Sequence, residues 1–285
     1  MSRWLLALCL FGCLSAQAAS PVWAIRGAHN TVYLAGSIHL LRAGDAALPA
    51  GFARAYGVSG RLVMEIDLGA LDQSDMARTL LQHAMLPEDQ SLHELVGAAR
   101  YRRVSAAAAT LGLPEAALDR EVPWMVGLQL TELEYAHLGF DPEQGVEQQL
   151  VRRARADHKP TGGLESLADE FAVFEALSQS EQARFLDMVV DDLDDAESDT
   201  GTVLAAWRRG DAGRLGALLA REYRSFPALY RALVTDRNRR WLPEIERLLA
   251  GEEDCLVVVG ALHLVGDGGL LEALRRDGFA PQQLN

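Results

Sequence analysis

Tyr33-Leu34-Ala35-Gly36-Ser37-Ile38-His39-Leu40-Leu41 and Val257-Val258-Val259-Gly260-Ala261-Leu262-His263-Leu264-Val265 lie near opposite ends of one chain and follow one template. Each is an apolar run, a Gly, two further residues, a His and two aliphatics. Short runs of this kind mark buried strands. A Gly at the strand end lets the backbone turn sharply or approach a neighbour closely. The His then leaves the sheet at the carboxyl end, where α/β folds place their ligand sites. Two such strands side by side would bring His39 and His263 together. Paired neutral imidazoles are good ligands for a divalent transition metal. A lone His in such a place is most simply a satisfied polar residue at the edge of a core, and it is the repeated context that argues for a pair.

Working outward from His39, the next strand run is Arg61-Leu62-Val63-Met64-Glu65-Ile66-Asp67-Leu68. A Glu buried at the end of such a run needs a metal or a cation as partner, and the alternative is an ordinary strand-end Glu facing water. Glu65 is therefore the first candidate carboxylate. Asp67, two residues on and on the same side of a strand, is the second. Val22 to Arg26 and Thr31 to Ala35 read as strands joined by a turn at Gly27-Ala28-His29-Asn30. Leu48-Pro49 and Phe52 to Tyr56 suggest a short helix.

Between about residues 71 and 250 the pattern changes to Ala, Leu, Glu and Arg at helical period. Ser91 is placed to cap one helix. Lys159 to Leu164, leading to Glu165, reads as a short strand or loop, and Pro227 to Leu249 as the last long helix. There Arg237, Asn238 and Trp241 span one turn and share a face. His83, His93, His137 and His158 have no partner at metal-ligand spacing. The acidic stretch Asp191 to Asp199 lacks the alternating ligands and central Gly of a calcium loop, which leaves a solvated helix end. Gly266-Asp267-Gly268-Gly269 before a helix could cradle an anion, but without the signature of a nucleotide site. Ala280 to Leu284 suggests a closing strand.

The first residues form a basic start, a short apolar run and an Ala-x-Ala site, the pattern of a cleaved signal peptide over residues 1–19. Lipidation at Cys13 is the alternative. The apolar run is too short for a membrane span. The expected location is the periplasm or outside the cell. Beyond that leader stands one cysteine, Cys255, read as a buried strand residue, so no disulfide framework is available. The net charge of −13, from 27 Lys+Arg against 40 Asp+Glu, argues against a nucleic-acid backbone or an anionic membrane as the main partner. The domain reading is a single α/β domain over residues 20–285. Its central mixed sheet comes from the N- and C-terminal segments, and a helical insertion of about 71–250 covers it.

The two Gly-x-x-His segments, Glu65 at its strand end, the helical middle, Arg237-Asn238-x-x-Trp241 and the closing Gly266 together resemble the TraB/GumN family, which includes the Tiki metal-dependent peptidases. The resemblance covers roughly Val22 to Leu284. It implies that His39, Glu65 and His263 are active-site residues, that Gly36 and Gly260 are the motif glycines, and that Arg237 and Asn238 face the site. One departure stands at Gly145-Val146-Glu147, where the family tends to carry Asp and this chain has Glu147.

The leading expectation is a metal-dependent hydrolase acting on a peptide or small molecule. His39 and His263 would be metal ligands and Glu65 a third ligand or the general base. Arg237 or Asn238 could stabilise a developing oxyanion. The alternatives are a non-catalytic metal- or haem-binding protein and a peptide-binding regulatory protein.

Overall fold

The computed structural model describes residues 19–285, apart from the side chains of Gln73 and Asp194. Most of the expected leader, with Cys13, lies outside the described residues. Among the described residues there are eight strands: β1 Val22–Arg26, β2 Thr31–Ser37, β3 Leu41–Arg42, β4 Arg61–Met64, β5 Phe140–Asp141, β6 Thr161–Gly163, β7 Cys255–Gly260 and β8 Gln282–Gln283. Six of them form one mixed sheet in the order β6-β4-β7-β2-β1-β8, and β3 pairs with β5 in a separate ribbon.

The chemistry of β7 explains its central place. Cys255-Leu256-Val257-Val258-Val259-Gly260 is buried at every position, as a strand covered on both faces must be. It runs parallel to both β2 and β4. The register sets Ser37 beside Gly260 and Met64 beside Val258. The carboxyl ends of β4, β7 and β2 therefore finish at one level, side by side. β1 and β8 add an antiparallel flank, and the two ends of the chain meet in one sheet as the paired motifs require.

Two cores result. One surrounds the sheet and gathers Phe52, Trp207, Trp241 and Leu256. The other lies within the helical region, where Trp124 stacks on Phe174 with ring centroids 5.2 Å apart. Much of the insertion is thus a helical layer with its own apolar interior.

Two local features depart from the sequence reading. β4 ends at Met64, so Glu65 stands just beyond the strand, and Asp67 turns back to accept from the Gly69 and Ala70 amides. The helix expected over Pro227 to Leu249 is broken. A short helix, Pro227–Tyr230, passes into a π-helical segment, Arg231–Thr235, before the helix Asp236–Leu249. Such wide turns change which face a helix presents and recur at functional sites.

Candidate functional site

Three adjacent strand ends deliver the site. Glu65 follows β4, His263 follows β7 on the short helix Ala261–Leu264, and His39 follows β2. Gly260 sits among them. A methyl group built on its Cα would stand 3.4 Å from Glu65 Oε1, 3.4 Å from His39 Nε2 and 3.6 Å from His263 Cδ2. The absent side chain leaves a small cradle that faces all three functional groups. Gly36 serves packing instead, since a Cβ there would lie 3.0 Å from the Ala261 Cα. The Gly36 carbonyl accepts from the buried Trp207 Nε1 at 2.7 Å.

The Gly260 amide donates to Glu65 Oε1 at 2.6 Å, and Arg237 Nη2 donates to Glu65 Oε2 at 2.6 Å. Burial pushes the Glu65 carboxyl up, but His263, Arg237, His39 and the Gly260 amide outweigh it and hold it at about 2. His263 Nε2 lies 3.9 Å from Glu65 Oε1 and 3.3 Å from Arg237 Nη1. Burial lowers the His263 imidazole to about 4, so it is neutral at neutral pH, and there Arg237, followed by His39, keeps Glu65 ionised.

Asn238 settles the tautomer of His263. Its Nδ2 donates to the carbonyls of His263 and Gly268, at 3.0 and 2.9 Å, which leaves Oδ1 as the acceptor facing His263 Nδ1 at 2.8 Å. The ring proton is on Nδ1, and the Nε2 lone pair points toward Glu65 and Arg237. Trp241 packs against the same imidazole, ring centroids 4.6 Å apart.

His39 has a different setting. Its Nδ1 lies 2.9 Å from Glu147 Oε1, and Ser37 Oγ donates to that same oxygen. Helix Val146–Ala156 starts against the His39 backbone, with Val146 N bonded to the Ile38 carbonyl at 3.1 Å. Gly145 is required there because any Cβ would collide with the His39 carbonyl. That docking brings Glu147 to the imidazole. Glu147 pulls the His39 pKa up, toward about 10, against the opposing effect of burial. The ring is 62% exposed, so water screens part of the pull, and protonation at neutral pH is the direction the contact supports. Glu147 is pushed up by burial, yet the His39 and Ser37 contacts bring it below the usual carboxylate range.

Two further acids complete the site. Glu165 follows β6 as Glu65 follows β4, and its amide donates to the Glu65 carbonyl at 2.9 Å. Its side chain, 4% exposed, accepts from Arg237 Nε at 2.9 Å and Nη2 at 2.6 Å, and from Trp241 Nε1 at 2.9 Å. Glu170, on helix Leu167–Glu175, approaches Arg237 Nη2 at 3.6 Å, and burial raises its pKa.

The structure thus brings together His39, Glu65, His263, Arg237, Asn238 and Gly260, whereas Gly36, expected as a site glycine, packs against Ala261 and Leu264. Sequence reasoning missed Glu165 and Glu170 and left Glu147 without a role. Glu165 comes two residues after a three-residue strand, too short a run to mark the acid in the sequence as Glu65 is marked. Among the described residues, no three or more His, Cys, Asp or Glu side chains stand at metal-enclosing distances. The donor types nonetheless suit a divalent transition metal. Each imidazole is anchored through Nδ1 by an oxygen acceptor, the usual outer support of a histidine ligand, and both rings border the Gly260 cradle.

Residues 21–283 match the TraB/PrgY/gumN family, and the chain belongs to it. The chain is 24% identical over 243 residues to "Uncharacterized protein YbaP" of Escherichia coli (strain K12), covering 85% of this chain and 87% of the relative. The YbaP protein of Shigella flexneri matches to the same extent. An uncharacterized protein of Treponema pallidum (strain Nichols) is 24% identical over 276 residues, covering 89% of this chain and 80% of the relative. No solved structure matches. No helix among the described residues is long and apolar enough to cross a membrane.

Proposed function

We propose that the protein is an exported, metal-dependent hydrolase whose substrate is a peptide. The observation that carries this reading is the Gly260 cradle, bordered by His39 Nε2, Glu65 Oε1 and the His263 ring. His39 and His263 would hold a divalent transition metal through Nε2, with Glu65 as third ligand or general base. Such an ion, when bound, would lower the pKa of a water molecule and polarise a scissile carbonyl. The chain's own groups supply the rest. Asn238 keeps the Nε2 lone pair of His263 turned into the site. His39 carries a proton that it must release from Nε2 before that nitrogen can act as a donor, and Glu147 stabilises the imidazolium meanwhile. Arg237 is placed to offset negative charge growing beside Glu65. A peptide is the substrate class that the family resemblance suggests, and the leader pattern supports export.

One observation favours a second reading. The Arg237 guanidinium already satisfies Glu65 Oε2 and lies 3.3 Å from His263 Nε2. A fixed cation in that position opposes a second one. In a metal-free hydrolase, the protonated His39 backed by Glu147 would be the general acid.

The deciding experiment is peptide hydrolysis by the purified mature protein, with metal content measured before and after chelation. Loss of activity on chelation and its return with a divalent metal supports the first reading. Activity indifferent to chelation but absent in His39→Ala supports the second. Unchanged hydrolysis by the His39→Ala, His263→Ala double variant ends both.

A further inference from the structure

Four carboxylates converge on the site, and three are saturated. Glu65 accepts from the Gly260 amide and Arg237, Glu147 from Ser37 and pairs with His39, and Glu165 accepts from Arg237 and Trp241. Glu170 differs. Among the described residues no donor lies within hydrogen-bond distance of its carboxylate, and its nearest cation, Arg237 Nη2, stands 3.6 Å away and is already shared with Glu65 and Glu165. Its side chain keeps 31% of its surface open, while those of Glu65 and Glu165 keep 11% and 4%. Glu170 is also close enough for its charge to act on the exposed His39. Among the described residues the cations in contact with these acids are Arg237, His39 and the half-exposed Arg240, which reaches Glu165 at 3.7 Å. The site therefore has an accessible carboxylate in need of a positive partner, next to the imidazole open to solvent.

We infer that Glu170 is a specificity residue that receives a primary ammonium group of the substrate. This deepens the hydrolase reading and rests on it for the identity of the substrate as a peptide. The ammonium can come from a free amino terminus or from a lysine side chain, and both offer donors that a half-open carboxylate accepts.

The test is binding, measured by calorimetry on the full-length mature protein carrying the His39→Ala, His263→Ala double substitution, so that turnover cannot interfere. Three versions of one hexapeptide serve as probes: free amino terminus without lysine, acetylated without lysine, and acetylated with one lysine. One or both ammonium-bearing peptides should bind at least about tenfold tighter than the acetylated, lysine-free one, and the tighter of the two names the source. Adding Glu170→Gln, which keeps the volume, should close that gap. Equal binding of all three peptides, or a gap that survives Glu170→Gln, overturns the inference. Failure of hydrolysis in the wild-type protein would count against the hydrolase reading alone, since the binding difference is read without catalysis.

Discussion

His263 Nδ1 donates to Asn238 Oδ1 at 2.8 Å, and this bond decides which nitrogen of the imidazole faces Glu65. Asn238 is 3% exposed and spends its amide protons on two carbonyls, so it has no freedom to reverse. Asn238→Ala strands those buried groups and should lower stability by about 2–4 kcal/mol. Asn238→Asp keeps the acceptor for Nδ1 but loses the amide donor. Nitrogen NMR of the ring should show the Nδ1–H tautomer of His263 in the wild-type protein and a mixture in Asn238→Ala. A wild-type ring protonated on Nε2 would refute the assignment.

The two motif glycines should respond oppositely to an added methyl. At Gly260 the methyl meets its neighbours at 3.4–3.6 Å, ordinary contact distances. Gly260→Ala should fold with its melting temperature nearly unchanged while losing any cation or substrate held in the cradle. At Gly36 the methyl is pressed to 3.0 Å against the Ala261 backbone and Leu264. Gly36→Ala should cost about 1–3 kcal/mol of stability. Thermal unfolding of both, with metal titration of the first, checks the contrast.

Glu165 holds the Arg237 guanidinium from one side as Glu65 does from the other. Removing it leaves a buried cation short of a partner and Trp241 Nε1 without an acceptor. Glu165→Ala should lose about 3–5 kcal/mol in denaturant unfolding. Glu165→Gln should lose less, because the amide oxygen still accepts.

Tyr56 donates to Asp157 at 2.9 Å, and burial, then that contact, raises its phenol to about 12. Tyr223 is raised to about 12 by burial and nearby Glu222. The folded values lie above the unfolded one near 10, so the stability these neutral phenols contribute is complete below about pH 10. It is lost as pH climbs through 12. Ultraviolet titration should find at least two of the six tyrosines un-ionised at pH 11, and Tyr56→Phe should remove one of them from the late phase.

How much of this was legible in the sequence follows from what periodicity and spacing encode. The β-branched run of β7 and its match to β2 announced adjacent strands, because a strand buried on both faces has few other compositions. Glu65 was legible because an acid at the end of such a run demands a partner. Glu165 also comes after a strand, but β6 is three residues long and two of them are glycine, too little pattern to read. Glu147 and Glu170 sit on ordinary amphipathic helices, where an acid on the polar face looks like any solvated one. Only the docking of those helices turns them inward. The π-helical segment before Asp236 left no trace in the apolar spacing, yet it sets the phase with which Arg237 and Asn238 meet the sheet.

Because β7 is the last long strand to be synthesised and the one that separates β2 from β4, the sheet is closed from the middle. A nascent chain that ends before Cys255 presents two incomplete ribbons, each with an unsatisfied hydrogen-bonding edge. Such a polypeptide invites aggregation and calls for shielding until translation finishes. The same order makes truncation all-or-nothing, since a product shortened by its final stretch forfeits one imidazole and the wedge that aligns the other two strand ends.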